Sequence, residues 1–132
     1  MLETLRAMVG MAPSAEAQKT KGRSRSSRWA GVRDRFLDHN PFCAACGCHE
    51  RRLLAVHHCK PFADYPELEL RVENLLTLCE KPTMNCHLWV GHAGDFTFWN
   101  PTVRGDACAF RKMLVCRSDR RLNSDPLPGV LP

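Results

Sequence analysis

Cys43 and Cys46 lie two residues apart in a Phe-Cys-Ala-Ala-Cys-Gly-Cys stretch, and Cys79 and Cys86 follow downstream. This spacing constrains the fold more than any other feature. A CxxC turn presents two thiolates to one ion, and a second pair closes a tetrahedron around it. Four thiolates make a soft, closed donor set, so the expected occupant is a structural zinc held by Cys43, Cys46, Cys79 and Cys86. The second pair is more widely spaced than a CxxC, and Cys48 is an alternative ligand, with His49 a weaker one. Cys59, Cys108 and Cys116 are expected to be buried as small apolar side chains.

The chain has eight cysteines in 132 residues, a number that also admits a disulfide framework. Two features argue against one. The weakly apolar start is broken by Glu3 and Arg6 with no uninterrupted signal core after it, and the histidines cluster beside the CxxC. Metal binding in a reducing compartment, the cytosol or the nucleoid, is therefore the expectation, and the protein is placed in the cytoplasm. No apolar run is long enough to span a membrane. A chain of this length makes one domain, with a core small enough to benefit from a metal staple.

Charge is informative through its distribution. Lysine and arginine number 19 against 14 acidic residues, a net charge of +5. Lys19, Lys21, Arg23, Arg25 and Arg28 form a run without an acid. Such a run favours polyanions, because each neutralised phosphate releases counterions; the alternative is a solvated tail.

Residues 1–27, rich in Ala, Ser, Lys and Arg, are expected to be a disordered basic segment, residues 28–118 the folded domain, and residues 119–132 an extended proline-rich tail. Ser26 and Ser27 are expected to cap a helix over residues 28–39, with Trp29, Val32, Phe36 and Leu37 on its apolar face and Pro41 as its stop. Trp29 and Phe36 are read as core packing. Short strands are expected at residues 53–56, leading into His57, and 75–78, separated by a proline-containing loop over 59–73. A helix at 85–92 would carry His87 and His92. Asn100 and Pro101 open a last helix over about 102–117, with Val103, Ala107, Phe110 and Leu114 inward.

The histidines carry the chemistry. Adjacent rings on a strand point to opposite sides, so of His57 and His58 one can bind a metal while the other faces water. That division suits phosphodiester hydrolysis, in which a metal stabilises charge on the phosphate and a neutral imidazole removes a proton from water. His87 and His92, a little over one helical turn apart, supply further ligands. Asn74 is read as a positional residue, bonding the chain around it.

The order of these pieces, CxxC, then Val-His-His with a following proline, then Glu-Asn-Leu, Leu-Cys, Cys-His and a further histidine, resembles the HNH endonucleases over about residues 28–107. These are ββα-metal nucleases, with a zinc-containing subset carrying two cysteine pairs. The resemblance implies a small α+β fold with a ββα-metal core, a structural four-cysteine zinc site and flanking helices. It implies that His57 and His87 bind the catalytic ion, that His58 is the general base, and that Asn74 holds the loop orienting that base. Many members place another ligand four residues beyond the last signature histidine; that position is Gly91 here, with His92 next. The resemblance also implies hydrolysis of DNA to a 5′-phosphate and a 3′-hydroxyl with Mg2+, Mn2+, Ni2+ or Zn2+, in a phage, mobile-element or defence context. Lys60, Arg104, Arg111 and Lys112 are the candidate phosphate contacts, giving position rather than sequence. The competing reading is a non-catalytic zinc-binding module for nucleic acid, which would not need His57, His58, Asn74 and His87 together.

Overall fold

The computed structural model describes residues 12–13 and 24–122, with side chains from residue 24 to residue 117. Helix α1 spans Trp29–His39. Its start differs from the expectation. Arg28 occupies the N-cap position without a side-chain cap, and Ser26 acts one turn earlier, its Oγ accepting from the Arg28 N–H at 3.2 Å. The helix ends where Pro41 forbids continuation: the Asn40 N–H and Nδ2 both donate to the Phe36 carbonyl, at 2.8 Å and 3.0 Å.

Two strands form the centre. β2 (Leu54–His58) pairs antiparallel with β3 (Leu75–Cys79), in a register that sets Leu54 opposite Cys79 and His58 opposite Leu75. Both strands run further than the apolar pattern alone indicates, so β2 includes the two histidines and β3 ends on a cysteine. Thr77 Oγ1 donates to the Asn40 carbonyl at 2.8 Å, tying the end of α1 to β3. The connection from β2 to β3 contains two short 3-10 turns, Pro66–Leu68 and Val72–Asn74.

The segment expected as a helix over 85–92 is a short π-type turn, His87–Gly91. β4 (Phe98–Trp99) follows, paired with a two-residue strand β1 (Ala12–Pro13) that falls within the segment read as disordered; the rest of 1–23 and residues 123–132 lie outside the described residues. Helix α2 (Val103–Leu122) is longer than expected and runs past residue 118. Asn100 prepares its start, its Oδ1 accepting from the Thr102 N–H at 2.9 Å.

The buried core is lined with sulfur: Cys43, Cys79 and Cys86 with Ala45, Leu78, Val103 and Ala107. α2 contributes Val103 and Ala107 to it, with Phe110 packed at its edge. Cys59 is half-buried, but Cys108 and Cys116 are exposed, which corrects the expectation that both are buried. The physical reason is that α2 has one apolar stripe, and those two positions lie off it. The result is a small α+β protein in which, among the described residues, no helix is long and apolar enough to cross a membrane.

Candidate metal centres

The sulfur of each of Cys43, Cys46, Cys79 and Cys86 lies within 4.8 Å of the other three. The CxxC turn is held by its own backbone: the Cys46 N–H points to Cys43 Sγ at 3.5 Å, and the Gly47 N–H donates to the Cys43 carbonyl at 2.8 Å. Gly47 has φ +76°, a left-handed conformation that a side chain would strain. Ala44 N–H to the Thr77 carbonyl, at 2.9 Å, binds this turn to β3. The wide spacing of the second pair is taken up by a turn at 81–85, where the Lys81 carbonyl accepts from the Met84 and Asn85 N–H groups. Cys48 and His49 are outside the cluster, which is completed by Cys79 at the end of β3 and Cys86 beyond it.

The ionisation of these sulfurs shows what the cluster asks for. Cys43 is pushed down to about 4 by the hydrogen bond from Cys86, while burial and the neighbouring charge push Cys46 up to about 11. Cys86 is raised as well, chiefly by sharing its proton with Cys43. One thiolate is thus accommodated by protein alone, and four would need a divalent cation. A tetrahedral zinc fits this donor set.

The second cluster joins His57, His87 and His92, whose ring nitrogens lie within 4.8 Å of one another. The three rings meet at centroid distances of 5.3 Å, 4.9 Å and 5.0 Å. Each of the outer two has one nitrogen fixed from behind. His87 Nδ1 donates to Glu80 Oε1 at 2.9 Å, and His92 Nδ1 donates to the Phe98 carbonyl at 2.6 Å, which leaves Nε2 of both rings with a lone pair for the cluster. His57 Nε2 is buried without a hydrogen-bond partner, the one such side-chain nitrogen or oxygen among the described residues. A buried imidazole nitrogen facing two others is costly unless a cation satisfies it. Burial first, then repulsion from His92 and His87, holds the His57 pKa well below its usual value. Burial lowers His92 too. His57 and His92 are thereby held in the neutral form that a metal ligand needs.

The π-turn explains how His92 reaches the cluster. A ligand four residues after His87 would suit an α-helix. Here the wider turn of His87–Gly91 brings the fifth residue round instead, and Gly91 lies where the His57 ring packs. A Cβ on Gly91 would lie 3.1 Å from His57 Cε1 and Nδ1 and 3.2 Å from Leu78 Cδ1. Gly91 is thus the bare backbone against which the His57 ring rests.

His58, on the opposite face of β2, is buried and held differently. Its Nε2–H donates to the Glu69 carbonyl at 2.9 Å, and the Trp29 ring lies against it at 4.6 Å. Its Nδ1 makes no hydrogen bond among the described residues. Burial lowers the His58 pKa to about 4, with the Glu69 contact opposing and Arg25 adding to the shift. The ring is neutral near pH 7, with its tautomer fixed by the Glu69 carbonyl.

Asn74 secures the loop that supplies this carbonyl. Its Oδ1 accepts from the Lys60 N–H at 2.8 Å, and its Nδ2 donates to the Lys60 carbonyl at 3.0 Å and the Leu68 carbonyl at 3.4 Å. Leu68 immediately precedes Glu69. The Glu69 side chain, buried, accepts from the Ser26 N–H at 3.2 Å and lies 3.9 Å from Arg25. Arg25 in turn sits over the Trp29 and Phe62 rings at 5.0 Å and 4.7 Å. Glu69, Glu80 and Arg25 in these supporting roles were not legible as such; only the position of Glu80 beside Cys79 hinted at one.

The candidate phosphate contacts divide. Lys60 and Lys112 are exposed, the former with its Nζ 5.2 Å from the Tyr65 ring. Arg111 donates to the Cys46 carbonyl at 2.7 Å and Arg104 to the Leu75 carbonyl at 3.0 Å, so both guanidinium groups brace backbone near the sulfur cluster and β3. Of the basic run, Arg25 and Arg28 are described, and Lys19, Lys21 and Arg23 lie outside the described residues.

Comparisons with protein-family models, with curated proteins and with solved structures gave no match in any of the three.

Proposed function

We propose that the chain is a metal-dependent endonuclease of the HNH, ββα-metal type that hydrolyses phosphodiester bonds in DNA. The observation that carries this reading is the split between two adjacent residues of β2. His57 is buried in a cluster of three imidazoles with an unpartnered nitrogen, and His58 is oriented by a backbone carbonyl through Nε2, which leaves Nδ1 without a hydrogen bond among the described residues. A zinc module that only binds nucleic acid would need the four cysteines and neither of these arrangements.

A divalent ion held by His57, His87 and His92 would supply positive charge to the scissile phosphate and the leaving oxygen. The three-imidazole set favours borderline ions such as zinc or nickel over magnesium, which prefers oxygen ligands. His58 takes the proton from the attacking water at Nδ1, because Nε2–H is committed to the Glu69 carbonyl. Its low pKa keeps it unprotonated at neutral pH. Asn74 holds the 60–68 loop in register, so the carbonyl that orients His58 stays in place. Lys60, Lys112 and Arg28, all exposed, are the candidates among these to hold the DNA backbone. Attack by water with the 3′-oxygen leaving gives a 5′-phosphate and a 3′-hydroxyl. The cytoplasm, where DNA and reduced thiols coexist, is the setting this reading requires.

The test is cleavage of plasmid DNA with and without added divalent ion, comparing wild type with His58→Ala. General-base removal should slow cleavage by at least about a hundredfold, with circular dichroism and metal content unchanged. Equal rates for the two proteins would overturn the assignment of the base.

A further inference from the structure

Trp89 and Phe96 are large apolar side chains left open beside the histidine cluster. Trp89 is 65% exposed and Phe96 55%, and both belong to the segment that carries His87 and His92. The other exposed apolar side chains, Phe42, Val72, Met113 and Val115, lie on other parts of the chain. Neither ring is loosely placed. Phe96 packs against His92 at 4.9 Å and edge-on to His87 at 5.6 Å. Trp89 lies over Gly94 so closely that an added Cβ there would come within 2.7 Å of the indole. The turn between them is fixed by successive positive φ angles, 55° at Ala93 and 86° at Gly94.

Rigid aromatic faces open to solvent suit a planar π-system, and nucleobases stack on such faces without regard to sequence. Resting on the nuclease reading above, we propose that Trp89 and Phe96 form a stacking site for an unpaired nucleobase, so that the substrate is single-stranded DNA or DNA with an unpaired stretch. A base inside a duplex has both faces covered by its neighbours and offers only its edges and backbone. An unpaired base presents a face. Because Phe96 touches both His87 and His92, a base stacked on it carries its own phosphodiester to the edge of the imidazole cluster. Trp89, two residues after His87 in the same turn, offers a second exposed ring for a neighbouring base.

The experiment follows indole fluorescence in full-length His58→Ala, which leaves the DNA uncut, during titration with an oligothymidine strand or with a blunt, fully paired duplex of the same length. The expected result is quenching by the single strand and an affinity about tenfold or more above that for the duplex. Trp89→Ala or Phe96→Leu in the same background should each weaken single-strand binding by about tenfold, with duplex binding, circular dichroism and metal content unchanged. Single-strand affinity unaltered in both variants, or equal losses for strand and duplex, would overturn the stacking site while leaving plasmid cleavage by the wild type intact. Failure of the parent to bind either form of DNA, with no plasmid cleavage by wild type, would overturn the nuclease reading together with it.

Discussion

Cys86 and His87 are neighbours in the chain, yet they belong to clusters with opposite boundaries. The four sulfurs are enclosed by the core, three of them buried, and their second contacts are backbone amides and packed apolar side chains. The three imidazoles have one buried member, His57, and two half-buried ones backed by a carboxylate and a carbonyl. On the proposed reading, the closed set of soft ligands serves stability and the three-histidine set holds the catalytic ion. Placing the two side by side lets the first fix where the second sits: the backbone leaving Cys86 enters the π-turn directly.

The comparison breaks first at the sulfurs. Cys79→Ser should abolish the fold, because zinc binding by such sites is worth roughly 10 kcal/mol or more, comparable to the whole stability of a small domain, about 5–15 kcal/mol. Loss of cooperative unfolding and of bound zinc checks it; a stable, metal-free variant would remove the structural role.

Acid should separate the two clusters. His57, His58 and His92 have folded pKa values below the unfolded value, so the unfolded chain binds more protons through this range. Their contribution to stability is complete above the usual histidine pKa of about 6.5 and is lost as pH falls toward the His58 value of about 4. Titration with metal analysis should show the histidine site giving up its ion first. Simultaneous loss of both ions would merge the clusters into one.

Asn74→Ala removes three hydrogen bonds to the Lys60 and Leu68 backbone. We expect about 2–4 kcal/mol of destabilisation in denaturant unfolding, and slower cleavage with substrate affinity retained. A change below about 0.5 kcal/mol, the ordinary range for a surface substitution, would show that Asn74 does not hold the loop. Smaller still is Glu80→Gln, which weakens the contact behind His87 and should lower ion affinity at the histidine site by about tenfold, with the sulfur-bound ion unaffected. Competition with a chelator measures it.

What was legible in the chain follows from what residue type encodes. Cys43, Cys46, Cys79, Cys86, His57 and His87 announce themselves because few other side chains bind such ions, and the two short strands are visible in their apolar runs. Geometry that depends on backbone was not. His92 falls one residue beyond the α-helical position, and only the π-turn, with Gly91 bared to the His57 ring, brings it in. The group that orients His58 is a main-chain carbonyl, which leaves no mark on the identity of Glu69. Arg104 and Arg111 look like free surface cations in the sequence; both stay exposed, but each guanidinium donates to a backbone carbonyl. Cys108 and Cys116 looked apolar by type, and the single stripe of α2 leaves them outside.

The division of labour between the two clusters is tested most directly by metal content and plasmid cleavage measured together on one preparation after mild chelation. We predict that an ion remains on the sulfurs, the fold persists and cleavage stops, and that added zinc or nickel restores cleavage in wild type but not in His57→Ala, which keeps the sulfur-bound ion. Loss of the fold together with the first ion removed, or full restoration of cleavage in His57→Ala, would contradict it.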